Sequence, residues 1–241
     1  MKRRFLYLMG ILSMFMLCSC EKDYVNHTSS GNIVTKVVTI DKFTGLLVDS
    51  KCKVILRNGS KQIVTIKISD NIIDDIDYGV VNGIWNIDFK DDDIATINKH
   101  EFTVIVESPY INSITMESSG ELVCEDKLTN SPLSVNHNSS GKTAIACNAD
   151  KLNIEMNGSG TLTVSGVSDS LNIAHNSSGS VKAFGLKGRL CSIVADGSGV
   201  SELWVTEKLS CMLNGGGDVK YKGSPTVTKS GDGSGNLIKI N

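Results

Sequence analysis

The residues with chemistry to offer are few and scattered. Five cysteines, Cys52, Cys124, Cys147, Cys191 and Cys211, follow the first twenty residues at irregular spacing. There is no Cys-x-x-Cys pair for zinc, and an odd, uneven set is no disulfide framework. Cys211 falls on the apolar phase of an alternating stretch, where cysteine fills space as a small apolar residue. His137 and His175 hold the same place in a repeat, four residues before the glycine that closes a small-residue triplet. They are two repeats apart, about 9.6 Å at one inter-strand spacing per repeat, too far to share a metal. Asp88 with Asp91-Asp92-Asp93 is the densest acidic cluster. Calcium takes such oxygens, but a solvated loop accounts for them as well. No Gly-x-Ser-x-Gly elbow and no His-Glu-x-x-His pair occurs. No catalytic residue, cofactor or metal is expected.

The element that must position everything else is a repeat. Triplets close at Gly120, Gly141, Gly160, Gly179, Gly199, Gly217 and Gly235, spaced 21, 19, 19, 20, 18 and 18 residues apart. Spacing this regular marks one structural unit used again and again. Leu152, Ile154 and Met156 alternate with polar residues before one triplet, and Leu162 and Val164 after it. Period-two alternation reads as strands with one buried face. Each unit is thus strand, tight corner, strand, corner. Such a unit buries its apolar face only by stacking on its neighbours, which predicts a parallel β-helix of about 19-residue coils. An antiparallel meander would also give short, evenly spaced strands, but not fixed-period similarity of both corners and strands. The closing glycines are expected to take backbone angles that a Cβ forbids. Three residues before them stand Glu117, Asn138, Asn157, Asn176, Asp196, Asn214 and Asp232. Stacked coil on coil, these predict an Asn/Asp ladder along one edge, suited to tight turns.

The N-terminus carries an address. Lys2, Arg3 and Arg4 precede an apolar run from Phe5 to Leu17, too short to span a bilayer. The run ends Leu17-Cys18-Ser19-Cys20, which resembles the bacterial lipobox. That resemblance implies a signal peptide over residues 1–19 and lipidation at Cys20. Glu21-Lys22-Asp23 resembles the acidic export tags of surface lipoproteins in the Bacteroidetes. Residues 20–32 read as a flexible tether. Losing the signal leaves 21 basic against 26 acidic residues, a net charge of −5. That balance argues against nucleic acid or acidic polymers as partners.

Residues 33–241 read as one elongated domain, with an irregular capping half over 33–112 and the repeats over 113–241. The first half is β-branched and alternating but lacks triplets. Asn58-Gly59 and Asn82-Gly83 read as hairpin turns, and Asn71 to Ile76 as one helical turn. Lys53-Val54-Ile55-Leu56, Asp70-Asn71-Ile72-Ile73-Asp74-Asp75-Ile76 and Asn82-Gly83-Ile84-Trp85, with the later Ser-Gly corners, resemble the auto-transporter adhesin "head GIN" domain proteins of Bacteroidetes over residues 35–241. The resemblance implies a right-handed parallel β-helix, export to the envelope and an adhesion role, without an assigned catalytic site. The chain departs from the family pattern at Leu47-Val48-Asp49-Ser50, where a glycine is usual.

The expected function is therefore non-catalytic: an outer-membrane lipoprotein, at the cell surface or on the periplasmic face, displaying a β-helix for adhesion or binding of a glycan or protein. One alternative is a carbohydrate-active enzyme, which needs converging carboxylates, for instance around Glu202 or Asp218. Three residues after each closing glycine, however, stand Val123, Ala144, Thr163, Lys182, Glu202 and Lys220, with no carboxylate pair. Another alternative is a structural protein whose open C-terminal coil assembles into homo-oligomers.

Overall fold

Each repeat places an apolar residue at every second position and needs a neighbour on which to lay that face. The computed structural model describes residues 29–90 and 102–241, and there the repeats stack as a parallel β-solenoid. The signal segment, Cys20, Glu21-Lys22-Asp23 and Asp91-Asp92-Asp93 lie outside the described residues.

The first half contributes β1 (Ile33–Val38), β2 (Gly45–Val48), β3 (Lys53–Asn58), β4 (Ile63–Ser69), β5 (Val80–Val81), β6 (Ile84–Ile87) and β7 (Thr103–Ser108). The repeats begin with β8 (Ser113–Met116), β9 (Glu121–Cys124) and β10 (Leu133–His137). Four long strands follow: β11 (Lys142–Met156), β12 (Thr161–His175), β13 (Ser180–Ala195) and β14 (Val200–Leu213). β15 (Val219–Lys222), β16 (Thr226–Ser230) and β17 (Leu237–Lys239) end the stack. Each long strand runs from one triplet corner, around a second corner, to the next triplet.

The parallel register keeps the period read from the glycines. Met116, His137, Met156, His175, Ala195 and Leu213 form one inward column. Their steps of 21, 19, 19, 20 and 18 residues follow the closing glycines coil for coil. Beside that column run Ile114, Val135, Ile154, Ile173, Ile193 and Cys211. One continuous apolar cluster extends from Phe43 to Val219.

The closing glycines are needed for a reason other than the expected one. The described glycines with positive φ are Gly31, Gly83, Gly166, Gly223 and Gly231, and no triplet glycine is among them. A Cβ on Gly141, Gly160, Gly199, Gly217 or Gly235 would instead collide with the carbonyl oxygen of the closing glycine one coil earlier. Close approach of stacked backbones, not a left-handed turn, fixes these positions. Positive φ is found where the chain rounds its other corner, as at Gly166 (φ 112) and Gly223 (φ 96).

The first half is more regular than expected, but out of order. β2 lies between β6 and β8, and β3 between β7 and β9, all parallel. The β2/β3 coil is thus sandwiched between β6/β7, the last pair of this half, and β8/β9, the first pair of the repeats. Asp49 and Ser50 take the corner where a glycine was missing, and Ser50 Oγ donates to Asp88 Oδ1 at 2.5 Å. β4 pairs antiparallel with β7, and β1 antiparallel with β4, closing that end of the core. Asn58-Gly59 is therefore not a hairpin, because β7 separates β3 from β4. Asn82-Gly83 is one: with φ values of 52° and 75° it joins β5 to β6. A 3-10 turn spans Ile73–Asp75, inside the stretch read as a helical turn. The tether is pinned earlier than expected, as Ser30 Oγ and Asn32 Nδ2 donate to the Asp70 carboxylate at 2.6 and 2.7 Å.

Candidate functional site

The edge beside the triplets carries the Asx ladder. Asn138 Nδ2 donates to Glu117 Oε1 at 2.7 Å, Asn157 Nδ2 to Asn138 Oδ1 at 3.0 Å, and Asn176 Nδ2 to Asn157 Oδ1 at 2.9 Å. Asn214 Nδ2 donates to Asp196 Oδ1 at 2.7 Å, forming a second run. Asp232 stands exposed past its end. Each amide thus spends its donor on the coil before, which is a structural use of the side chain.

The inward groups are sealed from solvent. His137 is buried, with Nδ1 3.0 Å from Thr143 Oγ1, and His175 is buried, with Nδ1 2.8 Å from Ser201 Oγ. Burial pushes both imidazoles below their ordinary pKa. Met156 separates them in the column. All five described cysteines are free and buried. Burial pushes Cys52, Cys124 and Cys191 up to about 12, and Cys147 and Cys211 up to about 11, far from the thiolate that reacts.

What faces solvent is the strand face that follows the triplets. Lys53, Glu121 and Lys142 align in one row across β3, β9 and β11, and Lys53 Nζ lies 3.9 Å from Glu121 Oε2. Lys182, Glu202 and Lys220 make a second row, two residues further along, across β13, β14 and β15. Thr161 of β12 continues the first row and Thr163 joins the second. A hollow of about 420 Å³ is lined by Lys51, Lys53, Lys142, Ser119 and Ser140. A second, of about 290 Å³, shares Glu121 and Lys142 with the first and continues to Lys182. Together they form a shallow trough across the coils.

At the far end of this face two aromatic rings are exposed in part. Trp204 is 38% exposed, and Lys187 Nζ sits 5.8 Å from its ring centre. Lys222 Nζ sits 4.4 Å from the ring centre of half-buried Phe184. Around the second corner, Arg189 binds both Asp169 oxygens and reaches Glu207 Oε2 at 2.7 Å. Arg189 holds Asp169 below the usual carboxylate range. Asp218 is also lowered, by the backbone N–H and Nδ2 of Asn236 at 3.0 and 3.1 Å. A general acid needs the opposite shift. Glu202 is flanked in register by Lys182 and Lys220.

The third position after each closing glycine already aligns Lys182, Glu202 and Lys220 in the sequence, whereas the row of Lys53, Glu121 and Lys142 and the ring pair lie at other positions. The fifth position reads Glu125, Ala146, Ser165, Phe184, Trp204 and Lys222, and would have placed the rings and Lys222 side by side. Lys53 could not be aligned with Glu121, because its coil stacks out of chain order.

The family described as "Putative auto-transporter adhesin, head GIN domain" matches residues 42–225. No curated protein matches the chain. A crystal structure of a putative adhesin from Bacteroides fragilis superposes with a TM-score of 0.80 at 22% identity, covering 88% of this chain and 99% of that one. One from Parabacteroides distasonis, also described as a putative adhesin, gives 0.72 at 20% identity, covering 88% and 98%. Another from the same species, described as a putative lipid binding protein, gives 0.65 at 21% identity with the same coverage. These likenesses are of fold.

Proposed function

Since the chain belongs to the head GIN domain family of auto-transporter adhesins, we propose that it is a non-catalytic lipoprotein of the outer membrane that displays its solenoid for adhesion. The observation that carries this reading is the contrast between inside and outside. Among the described residues, every thiol and imidazole is buried in the stack. The face that follows the triplets offers shallow polar groups, lysines with Glu121 and Glu202 between them, and the partly exposed rings of Phe184 and Trp204. That is a surface for contact rather than turnover. Cys20 supplies the lipid anchor. The site of contact is the face that follows the triplets.

Protease shaving of intact cells, blotting for this protein beside a periplasmic control, tests the placement. The expected result is loss of the protein with the control intact. Protection equal to the control would remove adhesion to external surfaces. A Cys20→Ala chain should leave the membrane fraction, and its retention there would exclude the lipid anchor.

A further inference from the structure

The mature chain is acidic, with a net charge of −5 once the signal is removed, yet the face that follows the triplets is basic. Lys51, Lys53, Lys142, Lys182, Lys220 and Lys222 stand there against Glu121, Glu202 and Asp218, while Arg57 at one margin is held by Glu107 and Glu125. The strands that carry this stripe, from β3 to β15, are six steps apart, about 29 Å. Charge separated in this way acts locally, because contributions beyond roughly 8 Å are screened at physiological ionic strength. Whole-chain charge, which argued against acidic polymers, averages the stripe away.

We propose that this stripe binds an acidic polysaccharide, a chain of uronate- or sulfate-bearing sugars lying along the solenoid axis. The proposal rests on the adhesion reading and gives it a ligand class. Three features of the face select this occupant. The two Lys-Glu-Lys rows repeat lysine every second coil, about 9.6 Å, which suits a ligand that is itself periodic. The trough along them is shallow and lined by hydroxyls of Thr161 and Thr163, suited to sugar hydroxyls and too open for a small ligand. The exposed Trp204 ring offers a flat apolar surface to the C–H face of a pyranose, with Lys187 and Lys222 close by for its acidic group. In the free protein these lysines rest against the rings as cation–π pairs, so the charges are already gathered at the stacking site.

The chain reports on this site by itself. Of its two tryptophans, Trp85 is fully buried and Trp204 is 38% exposed. Titration with oligogalacturonate and with heparin oligosaccharides should shift the emission of Trp204 and shield it from iodide. Trp204→Phe should abolish the signal. Lys142→Gln/Lys182→Gln/Lys220→Gln should weaken binding roughly tenfold or more, and added salt should weaken the wild type steeply. All three lysines are at the surface, so the melting temperature of the variant should stay near that of the wild type. Equal binding of a neutral galactan, or unchanged affinity in the triple variant, would overturn the proposal. So would lysine-dependent binding to phosphatidylglycerol vesicles without saccharide binding, or a dimer formed through the same lysines. Beads coated with either protein and applied to a mucin layer separate this proposal from the reading beneath it. Equal adhesion by wild type and triple variant keeps adhesion and removes the stripe. Saccharide binding without adhesion of any bead keeps the stripe and removes adhesion.

Discussion

His137 and His175 occupy a column otherwise filled by methionine, alanine and leucine, so their neutral form is the one that the stack accepts. Their folded pKa is lowered by burial. The unfolded chain then takes up protons near the ordinary value of 6.5 that the folded chain refuses. Stability is complete above that value and is lost as pH falls through the folded values. Thermal melting between pH 7 and 5 should show this loss. His137→Met/His175→Met, which continues the Met116 and Met156 column, should flatten the slope over that interval, while the lowered carboxylates act only at more acid pH. A second residue-scale outcome concerns the corners. A side chain on Gly160 would strike the Gly141 carbonyl and come within 2.6 Å of His137 Nε2, whereas one on Gly216 would meet only Ser234 Oγ at 3.4 Å. Gly160→Val should cost about 3 kcal/mol. Gly216→Ala should stay within about 0.5 kcal/mol in the same denaturant titration.

At the scale of strands, the end of the stack is guarded. β16 pairs with β14, and its residues are all exposed. In register, Lys229 follows Cys211 on the inward phase, where the coils below carry apolar side chains. A charge on the inward side of an edge strand discourages another strand from adding. Lys229→Val should therefore promote self-association, seen as a concentration-dependent mass in light scattering. A monomeric variant would show that another feature guards the edge. The repeating strands were legible in the sequence because alternation and triplet spacing are both local signals. Met116 to Leu213 could be put into one column from glycine positions alone. The stacking order of β2/β3 and β6/β7 was not legible. Each strand looks the same whichever neighbour it takes, and the choice is made by long-range burial of Leu46, Val48, Trp85 and Ile87. One member of the lysine stripe shared that fate, since Lys53 is brought beside Glu121 by a coil from that region.

Over the whole molecule, cohesion is greatest where coils have neighbours on both sides. β12 and β13 each pair along almost their entire length with two partners, while β16 and β17 have one each. Hydrogen exchange should be slowest in β12 and β13 and fastest in β16, with the β1–β4 end intermediate. Uniform protection would mean that the solenoid opens only as a unit. The out-of-order pair β2/β3 has a mechanical consequence. Strands of a solenoid lie across its axis, so tension along the axis peels coils off singly, like a zip. A load entering through an N-terminal anchor meets Ser30, Asn32 and β1 first. It must then draw β2 and β3 out from between two neighbours, each bonded on both sides. The β2/β3 coil, although first in chain order, cannot be peeled from an end, so a pull applied at the N-terminal side would meet a locked coil.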